Sequence, residues 1–172
     1  VVFFKGCPLK CFWCSNPESQ YGKPEKIWDT QKQNYTTVGE YKSMDEIITE
    51  VMKDELFYEE SGGGVTLSGG EVLYQADFAT ELLRQLKERG VHTASETTGF
   101  AKEEIFKKYI EQVDLLYFDV KHHDNEQHKK GTGVSLKPIL NNLICALKKH
   151  SNVVVRIPVI PNFKKKKKNA EA

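Results

Sequence analysis

The chain has 172 residues, 39% of them hydrophobic, and a formal net charge of +1. That suffices for one domain with a core, and so small a net charge creates no global field for nucleic acid or a membrane surface. No apolar run is long enough for a bilayer span. Four cysteines without a secretory segment point to a reducing compartment, so a cytoplasmic setting is expected.

Val1-Val2-Phe3-Phe4 predicts a buried strand, which Gly6 and Pro8 bring to an end. The loop after it carries Cys7, Cys11 and Cys14, spaced C-x3-C-x2-C. Thiols so close together converge on one object more readily than they build a disulfide framework. A zinc ion asks for four ligands in a closed shell. A cubane iron–sulfur cluster has four iron corners, and three cysteines leave one of them open to a substrate. A zinc knuckle completed by a distant His, or buried free thiols, are the other readings of these residues.

Residues 15–20 are rich in turn formers, and 21–42 are polar without a period, which predicts a surface connection. Ser43-x-x-Glu46 fits a capping box. Ile47, Ile48, Val51, Met52 and Leu56 follow at helical spacing, until three glycines at 62–64 stop the element. A strand at 65–67 runs into Ser68-Gly69-Gly70-Glu71. Two glycines there let the backbone approach a ligand closely, and the carboxylate can receive an ammonium group. A helix at 77–89 places Phe78, Leu82, Leu83 and Leu86 inward. The strand at 91–95 ends at Glu96-Thr97-Thr98-Gly99. A helix at 102–112 buries Ile105, Tyr109 and Ile110. The strand at 115–120 ends at Lys121.

Residues 122–134 read as a polar loop with some helix, its His122, His123 and His128 lying on the surface. Ser135 caps a helix with Ile139, Leu140, Leu143, Ile144 and Leu147 on its inner face; Cys145 in it reads as a packed small residue. The strand at 153–157 carries Arg156, placed to pair with a carboxylate. Lys164 to Lys168 and the last four residues read as a basic tail, 164–172.

Strands that alternate with helices predict a parallel α/β sheet. An open doubly wound sheet and a partial barrel both fit the order. In either, ligands gather at the carboxyl ends of the strands, where this chain concentrates its cysteines, Ser68 to Glu71, Glu96, Asp119, Lys121 and Arg156. Alternation puts Glu96 on one strand face and Asp119 with Lys121 on another. Pointed into a barrel, they form a polar cluster; otherwise they form a salt-bridged rim.

The cysteine spacing, with Trp13 before the last thiol, resembles the cluster motif of the radical S-adenosylmethionine superfamily. Residues 3–7, 13–18, 61–71, 119–121 and 157–161 together resemble the glycyl-radical-enzyme activating enzymes over nearly the whole chain. The resemblance implies a parallel (β/α) partial barrel over 1–163, incomplete at both ends, because a segment before Val1 and a final strand with a late His are missing. It implies one 4Fe–4S cluster on Cys7, Cys11 and Cys14. S-adenosylmethionine would lie against Trp13, Cys14, Ser15, Gly69, Gly70, Glu71, Asp119, Val120 and Lys121. A monovalent cation would sit at Glu96, Thr97 and Asp119, although the family more often has Asp where this chain has Glu96. Val72 stands where the family often has Pro. With no further cysteines in 21–42, a single cluster is expected.

The implied chemistry is reductive cleavage of S-adenosylmethionine to a 5′-deoxyadenosyl radical, which installs a glycyl radical on a partner enzyme. Flavodoxin or a similar low-potential carrier would supply the electron. The chain would be a monomer, without nucleic-acid or membrane partners, and without a classical acid–base pair. A radical enzyme acting on a small molecule or peptide, and a non-catalytic zinc-binding module, are the other functional readings.

Overall fold

The computed structural model describes residues 1–161 and 163; the expected basic tail, 164–172, lies outside the described residues. The chain enters as β1 (Val2–Phe4) and leaves the sheet for the cysteine loop. The stretch expected to be an irregular connection instead forms an antiparallel hairpin, β2 (Glu25–Asp29) and β3 (Asn34–Val38). Trp28 and Tyr35 pair across it with ring centroids 5.3 Å apart, and both remain well exposed. No residue of this hairpin is buried; half-buried and exposed positions alternate in it, but Glu25 and Asp29 take half-buried positions and Trp28 an exposed one, so no apolar alternation marks it.

The capping box is formed. The Ser43 hydroxyl accepts from the Glu46 N–H, the Glu46 carboxylate accepts from the Ser43 N–H at 2.7 Å, and α1 (Met44–Val51) begins there. The helix does not run through to Leu56. A 3-10 turn at Met52–Asp54 separates it from α2 (Glu55–Ser61), where Leu56 is exposed. Then follow β4 (Gly64–Gly69), α3 (Ala76–Glu88), β5 (His92–Thr97), α4 (Glu103–Ile110), β6 (Leu115–Asp119), α5 (Asn125–Thr132), α6 (Lys137–Lys149) and β7 (Val153–Arg156).

Five strands make one parallel sheet in the order β1-β4-β5-β6-β7. The order advances in one direction and never reverses. A doubly wound sheet reverses at its switch point. With right-handed crossovers, one-way winding keeps the helices on one side, which is the geometry of a partial barrel. β1 is an edge strand, so the expected burial holds only for Phe4, while Phe3 is 69% exposed.

The core lies between sheet and helices. Leu67, Leu116 and Phe118 from the strands meet Leu82, Leu83 and Leu86 of α3 and Phe106 and Tyr109 of α4, all fully buried. Each such side chain contributes about 1.5–3 kcal/mol. In α6 the inward face is Ile139, Asn142 and Ala146, whereas Leu140, Ile144 and Leu147 are exposed. Asn142 turns that face inward, because its amide donates to the carbonyls of Gly99 (2.7 Å) and Ala101 (2.9 Å). The Ser135 hydroxyl accepts from the Lys137 N–H at 3.3 Å at the start of this helix. Among the described residues no helix is long and apolar enough to cross a membrane.

Candidate functional site

The carboxyl ends of the sheet strands surround a cavity of about 320 Å³, lined by Cys7, Cys11, Trp13, Cys14, Ser15, Gly69, Gly70, Glu71, Glu96, Thr97, Asp119, Lys121 and Arg156. The residues expected from five separate strand ends are therefore brought to one place; of the expected set, only Val120 does not line it. A larger hollow of about 520 Å³ lies between the starts of α4 and α6, lined by Phe100, Lys102, Lys137 and Pro138 among others. It holds no thiol and none of the strand-end cluster, so the chemistry belongs to the smaller one.

The cysteine loop is fixed by its backbone. Gly6 N–H donates to the Ser19 carbonyl (2.8 Å) and Cys7 N–H to that of Gln20 (3.1 Å). On the other side Lys10 N–H donates to Thr132 (2.6 Å) and Phe12 N–H to Gly131 (3.3 Å), both at the end of α5. All four cysteines of the chain are free thiols, and the three in the loop are half-buried. Burial pushes the Cys7 thiol up to about 11, with the charge of Glu71 and the neighbouring thiols adding to the effect. Burial raises Cys11 as well, against the lowering influence of Lys121.

The glycines of the second motif line the cavity and also serve the protein's own packing. A Cβ on Gly69 would lie 2.3 Å from the Phe4 carbonyl oxygen, and one on Gly70 would lie 2.5 Å from that of Gly6. Their close approach is to the protein's own backbone, and it lets the exits of β1 and β4 touch. Gly70 N–H and Glu71 N–H then donate to Phe4 and Gly6, each at 2.9 Å. Glu71 is 1% exposed. Its carboxylate accepts from Leu73 N–H (3.2 Å), the Thr97 hydroxyl, Thr98 N–H (2.9 Å) and the Thr98 hydroxyl (2.6 Å). Four donors match what a carboxylate can accept, so an ammonium group arriving there shares oxygens already bonded.

Arg156 organises the far wall. Its guanidinium donates to Asp119 (2.7 Å) and to Glu96 (2.8 Å) and lies 5.3 Å from the Tyr117 ring centroid. Asp119 also accepts from Lys121 (2.8 Å), and Glu96 from the Ser68 hydroxyl (2.7 Å). Burial pushes the Glu96 carboxyl upward, but the bonds from Arg156 and Ser68 outweigh it and hold the group below its ordinary range. For Arg156, burial is likewise outweighed by its two carboxylates, and its pKa is raised. The three residues expected around a monovalent cation thus have protein partners: Glu96 and Asp119 share Arg156, and Thr97 bonds Glu71.

Of the three histidines expected on the surface, His123 is exposed, whereas His122 is 5% exposed and His128 fully buried; residues 125–132 are the helix α5, whose inner face is His128, Gly131 and Thr132. His128 Nδ1 lies 2.9 Å from the Val134 carbonyl oxygen and 3.2 Å from the Thr132 hydroxyl. Positions 128, 131 and 132 have helical spacing, which was the available signal, but none is a large apolar residue. Sequence reasoning also missed Phe163 and Gly131. The Phe163 ring lies 5.2 Å from Trp13 and 5.1 Å from Phe12, and a Cβ on Gly131 would lie 2.7 Å from the Trp13 ring.

The profile of the Radical SAM superfamily matches residues 1–169. The chain belongs to the radical SAM superfamily. Among curated proteins, it is 36% identical to the choline trimethylamine-lyase activating enzyme of Oleidesulfovibrio alaskensis, over 93% of this chain and 66% of that protein. It is 38% identical to the pyruvate formate-lyase 2-activating enzyme of Escherichia coli K12, over 99% of this chain and 64% of that one. The chain therefore spans about two thirds of the length of these curated relatives. A crystal structure of a domain of pyruvate-formate lyase-activating enzyme from Bacteroides vulgatus superposes with a TM-score of 0.57 at 31% identity, over 62% of this chain and 66% of that one. These relatives place this radical SAM chain with the glycyl-radical-enzyme activating enzymes.

The superfamily uses a 4Fe–4S cluster with S-adenosylmethionine, and the residues fit that pair. Three free thiols on one backbone-fixed loop face a cavity within the ~300–1,000 Å³ range of small-molecule sites. Cys7, Cys11 and Cys14 would hold the cluster, and the glycine loop and the Asp119–Lys121 wall would flank the cosubstrate.

Proposed function

We propose that this chain is the catalytic barrel of a glycyl-radical-enzyme activating enzyme. The observation that carries the reading is the single cavity that joins the three thiols to the strand tips of the whole sheet. Held by Cys7, Cys11 and Cys14, a reduced cluster would supply the one electron needed to cleave the sulfonium of S-adenosylmethionine to methionine and a 5′-deoxyadenosyl radical, which would take hydrogen from a glycine of the partner enzyme.

The chain's own residues orient and shield. The Phe4 and Gly6 carbonyls hold the Gly70–Glu71 backbone against the cysteine loop. Lys121 and Arg156 balance Asp119 and Glu96 in the cavity wall, and the remaining N–H donors of Lys121 can meet the carboxylate of the cosubstrate. Trp13 lines the same cavity and offers a ring face to the adenine. A monovalent cation at Glu96, Thr97 and Asp119 competes with Arg156 for two of its ligands. The reductant is a flavodoxin-type carrier, the chain acts as a monomer, and the oxygen-sensitive centre suits a reducing cytoplasm.

The test is anaerobic. The chain is loaded with iron and sulfide, then given S-adenosylmethionine, a reductant and a candidate lyase. The reading expects a glycyl radical by electron paramagnetic resonance. Cleavage of S-adenosylmethionine without radical transfer to any lyase tried would favour a small-molecule or peptide substrate.

A further inference from the structure

Between Cys7 and Cys14, Lys10 and Phe12 are the exposed residues, and they flank Cys11. Phe12 is 65% exposed, an unusual position for a ring beside a half-buried thiol. The backbone of this stretch lies on the last turn of α5, through Lys10 to Thr132 and Phe12 to Gly131. That turn also carries Lys129 and Lys130, both exposed. The stem of Lys10 runs past Gly133, where an added Cβ would lie 3.9 Å from the Lys10 Cβ. An apolar ring and three lysines from two separate elements thus share the stretch where the cysteine loop meets the last turn of α5. Of the acidic residues nearby, Glu126 lies one turn before Lys129 and Lys130, about 4.5–6 Å back along the axis, and Asp124 caps the helix start. Lysines in a last helical turn also offset the helix dipole. That explains Lys129 and Lys130 alone, not Lys10 or Phe12.

We infer that Lys10, Phe12, Lys129 and Lys130 form the docking face for the electron donor, a small acidic low-potential flavoprotein. The inference rests on the cluster reading above and locates its reductant. One electron leaves the reduced flavin of the donor and one enters the cluster behind Cys11; no atom is transferred. The chemistry of the face suits a transient redox contact: small, charge-steered and centred on one apolar residue.

The experiment uses the reconstituted chain and follows bleaching of the cluster's visible absorption. Photoreduced flavodoxin is one reductant and the photogenerated deazaflavin radical, a small molecule, is the other. For Lys10→Glu/Lys129→Glu/Lys130→Glu, the flavodoxin rate should fall about tenfold or more and lose most of its salt dependence, as for a steered encounter. The deazaflavin rate should stay unchanged. Lys129→Gln/Lys130→Gln, which introduces no new charge, should show the same direction with a smaller fall. An unchanged flavodoxin rate in both variants overturns the proposal. So does an unchanged rate with a lower glycyl-radical yield, which would give this face to the partner lyase. Absence of the visible band in the unreduced parent chain would instead sink the cluster reading itself.

Discussion

Asp119 and Arg156 are register partners at the tips of β6 and β7, and Arg156 Nε donates to Asp119 across 2.7 Å. The same guanidinium reaches Glu96 on β5. One side chain from the sheet's last strand therefore bridges two carboxylates in the cavity wall, and Lys121 supplies the second positive charge. Arg156→Ala leaves Glu96 without a cation and Asp119 with Lys121 alone. Binding of S-adenosylmethionine to the reconstituted chain should weaken about tenfold, or ~1.4 kcal/mol. Potassium or sodium should recover part of it in the variant and have little effect on the parent. Isothermal titration with and without the salts checks both.

The same link sets a pH dependence. The folded-state pKa of Glu96 is depressed, so its contribution to stability is full above the ordinary carboxylate range and is lost as pH falls through the depressed value. In thermal melts, the Tm gap between the parent and Glu96→Gln should be open at neutral pH and close below about pH 4. A gap that stayed constant would place the effect in packing and not in charge.

Glu71→Gln addresses a different role. An amide NH₂ would meet donors at Thr97, Thr98 and Leu73 where a carboxylate now accepts. Leaving one buried donor unmet costs about 1–3 kcal/mol. Chemical denaturation of the cofactor-free chain should show this loss. A variant that kept its stability and lost only cofactor affinity would contradict the structural part assigned to Glu71.

Gly131→Ala pits two effects against each other. Alanine improves a helix by about 0.5–1 kcal/mol over glycine. Its Cβ would lie 2.7 Å from the Trp13 ring and 2.8 Å from Phe163, and overpacking costs about 1–3 kcal/mol. The clash should win. Tryptophan emission should shift and cluster occupancy should fall, while a more stable chain with unchanged emission would show that the rings move aside freely.

The parts legible in the sequence were those where one rule acted alone. Ser43 and Glu46 announced a helix start that tertiary contacts left untouched. Strand-end motifs announced the site because parallel sheets collect chemistry at those ends. What escaped had competing or silent signals. The hairpin at residues 25–38 buries neither face, and its turn places Gln33 at φ 53° without a glycine to mark it. The inner face of α5 is built of His128, Gly131 and Thr132, which a search for apolar residues passes over. Arg156 at a strand end predicts a carboxylate partner, but its bridge to Asp119 and Glu96 depends on the register that only the sheet supplies.

The central claim is that Cys7, Cys11 and Cys14 hold a 4Fe–4S cluster, and metal and sulfide analysis of anaerobically reconstituted protein tests it most directly. The account predicts about four iron and four sulfide per chain, with the visible absorption lost in Cys11→Ala. One zinc per chain without sulfide, or an unchanged spectrum in Cys11→Ala, would contradict it.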